Sequence, residues 1–188
     1  MEIYFTQSQD IKEYRPLISS LIPDFDYVFL HTILQWCDLA DDPYKDKQFW
    51  QMYLVKEKND REALIETLKI VGKNFKPKHS TIGMCGLYSL VAGSTEQLWL
   101  GWLGIIPKLR NKGLGKDVMQ FLYTEANKVG CKELMSYVDK DGAPLNFYKR
   151  EGFEVLGTVK EYLKKYNKSK IDGSDFESQD DIVIRKFL

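Results

Sequence analysis

The chain has little of several residue types that would place it in common functional classes. It carries three cysteines, Cys37, Cys85 and Cys131, in 188 residues. They form no C-x-x-C pair, and an odd, scattered set does not make a disulfide framework. Histidine is rarer, with two, His31 and His79. Without a Cys/His cluster the chain is not expected to bind a structural metal. Neither sign of charge dominates, since Lys plus Arg and Asp plus Glu both total 27. A neutral chain lacks the basic face of a nucleic-acid-binding domain and the polybasic run of a membrane-surface protein. No apolar run approaches the ~20 residues that cross a bilayer. The opening MEIYFTQSQD lacks the charged-then-apolar order of a secretory signal. The expectation is a cytoplasmic protein with neither nucleic acid nor membrane as a partner.

What the chain does have suits one domain over residues 1–188. Hydrophobic residues make up 44% and aromatics 13%, enough for a packed core. No repeat or linker divides it. Residues 1–5 read as a strand. A helical stripe follows in 8–21 through Ile11, Tyr14, Leu17, Ile18 and Leu21, interrupted by Pro16. A second helix is expected in 24–39, capped by Asp24 or Asp26, with Val28, Phe29, Ile33 and Trp36 inward. Residues 40–47 are a polar loop and 49–57 a strand. Residues 59–72 carry a helical stripe, Leu64, Ile65, Leu68 and Val71, between Asp60 and Gly72. Residues 73–80 are loop, and 81–91 and 97–105 are strands joined by a short turn.

The most informative stretch is 105–116, IIPKLRNKGLGK. It stands between the apolar run QLWLGWL and a segment, 113–129, whose Leu114, Val118, Phe121, Leu122, Ala126 and Val129 share one helical face. Strand, basic glycine-rich loop, helix is an order that cradles phosphate. Gly113 and Gly115 admit close backbone approach and angles closed to other residues. The helix start offers N–H groups and a positive dipole end. Arg110, Lys112 and Lys116 add charge. There is no G-x-x-x-x-G-K-[ST] and no G-x-G-x-x-G, so this is neither a P-loop nor a dinucleotide fingerprint.

Downstream, Gly130 stops that helix and 131–138 reads as a strand. Asp141 is placed to cap a further helix, with Pro144 in its first turn. That helix carries Leu145, Phe147 and Tyr148 and ends at Gly152. Residues 153–159 read as a strand, 160–179 as a polar loop, and 181–188 as the last strand.

R-x-x-G-x-G, here Arg110, Gly113 and Gly115, resembles the acyl-CoA pyrophosphate loop of the GNAT superfamily of N-acetyltransferases. The segment DGAPLNFYKREGF, with Tyr148, Gly152 and Phe153, resembles that family's second signature. The likeness spans about residues 81–159 and, more loosely, the final strand. It implies an α+β, three-layer fold: a mixed, mostly antiparallel sheet with helices on both faces and a splayed strand pair, 97–105 and 131–138, holding acyl-CoA. A helix in 59–72 would then be an insertion.

The resemblance also implies the chemistry. Acetyl-CoA would be the co-substrate, with no metal, and a primary amine of a small molecule or protein would attack its thioester directly. Its pyrophosphate would lie on Arg110, Asn111, Lys112, Gly113, Leu114, Gly115 and Lys116. Its pantetheine would pair with the backbone of Leu103, Gly104 and Ile105, and a backbone N–H near Ile105 would polarise the carbonyl. Tyr148 stands where the family has its general acid. Two departures stand out. Trp99 and Ser136 occupy positions where relatives often carry a basic Glu, which leaves Glu96, Asp139 and Tyr137 as neighbouring candidates. Asp141 replaces a frequent Asn and cannot donate as Asn does. The missing Glu favours a second reading, a non-catalytic acyl-CoA-binding or sensor module. An unrelated phosphate-binding α/β domain is a third. Asp24, Asp26, Asp38, Asp41 and Asp42 form an acidic region, either a solvated face or an attractant for a cationic amine. The assembly would be a monomer or homodimer.

Overall fold

The computed structural model describes residues 2–7, 50–57, 80–91, 93–166 and 178–188. The helices expected in 8–21 and 24–39, the acidic region, Cys37, both histidines and the ambiguous 59–72 lie outside these residues. The strands are β1 (Ile3–Gln7), β2 (Trp50–Glu57), β3 (Ser80–Tyr88), β4 (Gln97–Ile105), β5 (Glu133–Val138), β6 (Glu154–Thr158) and β7 (Ile182–Phe187). The helices are α1 (Leu114–Lys128), α2 (Ala143–Arg150) and α3 (Val159–Tyr166), with a 3-10 turn at Pro107–Leu109. The sheet order is β1-β2-β3-β4-β5-β7-β6. β1–β2, β5–β7 and β6–β7 pair antiparallel, and β4–β5 pair parallel. This mixed α+β sheet is the fold class expected from the sequence.

The chain divides into two compact units. One comprises residues 1–46, 50–87 and 102–122; the other comprises 47–49, 88–101 and 123–188. In the first unit β1 runs against β2 from Ile3↔Glu57 to Gln7↔Tyr53. The Phe5 ring stacks on Phe121 of α1 at 3.8 Å, and Tyr53 meets Phe121 edge-on at 4.8 Å. Met52, Leu54 and Val55 of β2, Ile82, Met84 and Leu87 of β3, and Leu114, Val118, Met119 and Leu122 of α1 are buried. Each side chain of this size contributes about 1.5–3 kcal/mol when fully buried.

The second unit is built around Trp99, which is 0% exposed. It packs with Met135, Val159, Tyr162 and Val183, and the Tyr162 ring meets it edge-on at 5.8 Å. Helix α1 ends in this unit in a Schellman cap. The Gly130 N–H donates to Asn127 O at 3.1 Å and the Cys131 N–H to Ala126 O at 3.0 Å. Thr95 Oγ1 donates to Val129 O at 2.7 Å, tying the start of β4 to the helix end.

One element departs from the sequence-based expectation. Val159 does not extend β6 and residues 160–166 are not loop: Val159–Tyr166 is helix α3. It begins in a reciprocal capping box. Thr158 N–H donates to Glu161 Oε2 at 2.8 Å, and Glu161 N–H to Thr158 Oγ1 at 3.2 Å. These bonds hold the Glu161 carboxyl below the usual carboxylate range, the backbone bond being the larger cause. The T-V-K-E sequence was the available sign, outweighed by the lysines and polar residues after it.

The box makes a testable prediction. Thr158→Ala should lower stability by about 0.5–2 kcal/mol, the usual loss for a helix N-cap. Glu161 binds its proton more weakly folded than unfolded. Its contribution is present above the unfolded carboxylate range and is lost as pH falls through the lowered folded value. Glu161→Gln keeps an acceptor, so the wild type should be the more stable protein at pH 7 and lose that lead at pH 3 in thermal melts.

Candidate functional site

The strand–loop–helix unit is built from β4 onward. Trp102 takes φ +52, which breaks the regular pleat near the end of the strand. Gly83 of β3 lies so close to β4 that a Cβ there would sit 2.4 Å from Gly104 O and 2.6 Å from Ile105 Cδ1. The Ile106 N–H donates to Ile82 O at 2.9 Å, and buried Leu109 anchors the following turn. Arg110 Nε donates to Ile105 O at 2.9 Å, so its guanidinium first closes the loop back on the strand end. Asn111 and Gly113 then take φ +62 and +84. Two left-handed residues thus flank Lys112, a backbone pattern that can turn successive N–H groups toward an anion. Lys116 N–H donates to Gly113 O at 2.9 Å as α1 starts.

Arg110, Asn111, Lys112, Gly113 and Lys116 are exposed, Gly115 is half-buried, and Leu114 is buried as the helix's anchor. A Cβ at Gly113 would meet nothing within 4 Å, so φ, not crowding, demands glycine there. Gly115 corrects the expectation: it lies inside α1 and is not among the positive-φ residues. Leu103 and Gly104 are half-buried and Ile105 is buried at the strand end.

The register between β4 and β5 covers Gln97↔Glu133, Leu98↔Leu134 and Trp99↔Met135, and stops there. β4 nevertheless continues to Ile105 and β5 to Val138. On its other side β5 stays paired with β7 as far as Val138↔Ile182. The parallel ladder therefore ends at Trp99.

Tyr148 and Asp141 belong to the second unit. Helix α2 starts from Gly142, not Asp141, as its N-cap, with no side-chain cap bond and with Pro144 in the first turn. Asp141 uses its N–H on Asp139 Oδ1 at 2.9 Å, so the expected capping role falls away. At the other end, Gly152 N–H donates to Lys149 O at 3.1 Å and Phe153 N–H to Tyr148 O at 3.0 Å. Gly152 takes φ +87. This is a Schellman cap in which Tyr148 and Phe153 are the two residues that make its apolar contact, their rings edge-on at 5.2 Å. The spacing from Tyr148 to Gly152 and Phe153 is thus a helix-stop geometry. The ring of Tyr148 is 6% exposed and also meets Phe147 edge-on.

The candidate bases fare differently. Trp99 and Ser136 are buried and supply no carboxylate. Glu96 is exposed and ion-paired with Lys132; the hydrogen bond and charge of that lysine hold its carboxyl below the ordinary range. Asp139 is exposed and receives the Asp141 N–H. Tyr137 is half-buried and its ring is tilted against Trp99 at 6.4 Å. Asp181, which was not singled out, lies just before β7; burial first, then Asp139 and Asp180, push its carboxyl up. Burial pushes the Cys131 thiol up and the Cys85 thiol well above its ordinary value, so both are inert. Among the described residues no group of His, Cys, Asp and Glu could hold a metal, and no helix is long and apolar enough to cross a membrane.

The first unit thus holds a basic strand–loop–helix turn, and the second a helix that ends in a Schellman cap at Tyr148–Phe153. A family model described as an acetyltransferase (GNAT) domain matches residues 73–155, so that span is similar to the GNAT acetyltransferases. The fold is also similar to an acetyltransferase from Streptococcus agalactiae, with TM-score 0.65, 12% identity and coverage of 99% of this chain and 98% of that one. A GNAT family acetyltransferase from Elizabethkingia anophelis with acetyl-CoA bound gives 0.60 and 17%, covering 99% and 98%. A Bacillus subtilis acetyltransferase in complex with CoA gives 0.61 and 12%, covering 100% and 99%. A comparison with curated proteins finds no match.

Sequence reasoning missed Gly83 and Trp102. An isolated glycine in a strand was the available sign for the first; nothing local announced the φ of the second. Gly152→Ala should lower stability by about 1–2 kcal/mol, the cost of a left-handed L-residue. Gly83→Ala should cost more, because its Cβ would meet backbone oxygen. Urea denaturation of both variants checks this order.

Proposed function

We propose that the chain is an acetyl-CoA-dependent N-acetyltransferase whose acceptor is a primary amine on a small molecule or protein. The observation that carries this reading is the left-handed, basic loop at 110–116 opening directly into α1. The cradle is suited to acyl-CoA: the loop curves around an anion, Gly113 leaves its outer side clear, and β4 loses its β5 partner beyond Trp99. When bound, acyl-CoA supplies the activated acyl group.

The chain's own residues have separate tasks. The N–H groups of the loop and of the first turn of α1 hold the pyrophosphate, helped by Lys112, Lys116 and the part of the Arg110 guanidinium beyond its bond to Ile105 O. The backbone of Leu103 and Gly104 and the Ile105 N–H pair with the pantetheine amides. The Ile105 carbonyl already accepts from Arg110 Nε. Tyr148 Oη holds the proton that the departing thiolate takes. Asp141 supplies a rim contact, with acceptor atoms alone on its side chain. No metal enters this scheme. The buried free thiols of Cys85 and Cys131 support a reducing, cytoplasmic setting. The assembly is a monomer or homodimer.

Trp99 and Ser136 keep the second reading in view, because neither can deprotonate an amine. An acyl-CoA-binding module without turnover would have the same cradle. A thiol-release assay with acetyl-CoA and a panel of amines separates the two: turnover supports the enzyme, whereas tight binding without turnover selects the module.

In the enzyme, Tyr148→Phe should lower kcat by about 10²-fold or more with little change in acetyl-CoA affinity. A variant with wild-type kcat would return Tyr148 to packing alone. For the cradle, calorimetry should find acetyl-CoA binding abolished in folded Gly113→Val and weakened by about 1–3 kcal/mol in Arg110→Ala. Unchanged affinity in both would place the phosphate site elsewhere.

A further inference from the structure

The turn that ends α2 is held from outside the helix. Lys186 of β7 donates from Nζ to the carbonyl of Glu151, the C-cap residue of α2. The same ammonium lies 4.5 Å from the centroid of the Tyr123 ring on α1. A Cβ on Gly152 would come within 3.4 Å of it. Three separate elements, α1, β7 and the α2 turn, thus meet at one cation.

Tyr148 stands in the last turn of α2, where the backbone dipole presents its negative end. A negative charge near that end is disfavoured. Lys149 and Arg150 on the helix are exposed to solvent, which screens them. Lys186 is half-buried and directly bonded to the helix end. Across the cluster the Tyr123 hydroxyl is buried beside Glu151. Burial first, then Glu151 and Tyr148, push that phenol well above its ordinary value, so it stays neutral.

We infer that Lys186 is a positioning residue for Tyr148: its ammonium, seated on the Tyr123 ring and bonded to Glu151 O, fixes the α2 turn and offsets the negative helix end behind the Tyr148 phenol. This rests on Tyr148 acting as the general acid. The platform is the ring of Tyr123, and its hydroxyl is not needed for it.

The test compares Lys186→Gln, Lys186→Arg, Tyr123→Phe and Tyr148→Phe in the thiol-release assay across pH. Gln retains a hydrogen-bond donor but no charge; Arg keeps the charge and can still lie on the ring. Lys186→Gln should lower kcat by about 3–10-fold and move the alkaline limb of the kcat profile up by about half a pH unit, with the KM for acetyl-CoA unchanged. Lys186→Arg should restore both, and Tyr123→Phe should leave both unchanged. A merely structural lysine would change stability without moving the limb. If Tyr148→Phe is slow while Lys186→Gln keeps wild-type kcat and limb, the inference about Lys186 is overturned and the acid stands. If Tyr148→Phe itself turns over at the wild-type rate, the acid assignment falls and this inference with it.

Discussion

The parallel ladder between β4 and β5 lasts for three residue pairs, and the course of β4 depends on where it stops. Up to Trp99 the two strands share hydrogen bonds, and Trp99 is sealed into a core of Met135, Val159, Tyr162 and Val183. Beyond it, β4 keeps its extended course but must find other uses for the groups on that edge. The backbone turns through a positive φ at Trp102, presses against Gly83 near its end, and hands its last carbonyl to Arg110. The loop that follows is thereby anchored at its start by a side chain from its own middle. Arg110 is as much a closing device as a source of charge.

The second signature separates packing from chemistry. Gly152 is required by φ +87, and Phe153 by the apolar contact that closes a Schellman cap. Any apolar ring at position 148 would make that contact. The hydroxyl of Tyr148 is the part that helix termination does not explain, and it is the part assigned to proton transfer. The same division applies to the anion loop, where Gly113 answers to backbone geometry while Arg110, Lys112 and Lys116 answer to charge.

The carboxylates among the described residues bear on the question of a base. Glu96 is engaged by Lys132, Glu161 by the capping box, and Glu133 and Glu154 by Arg185. For Glu96 and Glu161 this engagement holds the carboxyl below its ordinary range and makes it a weaker proton acceptor. Asp181 is pushed the other way, by burial and by two acidic neighbours. Its place beside the end of β5 follows from the β5–β7 register, which nothing in the local sequence reveals.

The strand–loop–helix at 97–128, the strand at 133–138 and the capped helix carrying Tyr148 were legible in the sequence because each is decided locally. Apolar residues recur at a helical or strand period, glycine stands where φ is positive, and basic residues cluster beside it. Local pattern failed where two local tendencies competed. The lysines after Thr158 read as loop although T-x-x-E supplies a capping box, and Asp141 read as the cap although its neighbour Gly142 takes that position. Other features belonged to tertiary structure alone: the stop in the β4–β5 ladder, the contact of Gly83 with Gly104, and the meeting of Lys186 with Tyr123 and Glu151. These depend on residues tens of positions apart, and on which hydrogen bonds remain after the sheet has chosen its register. A sequence states what each residue can do nearby; a register formed over the whole sheet decides which of those options is used.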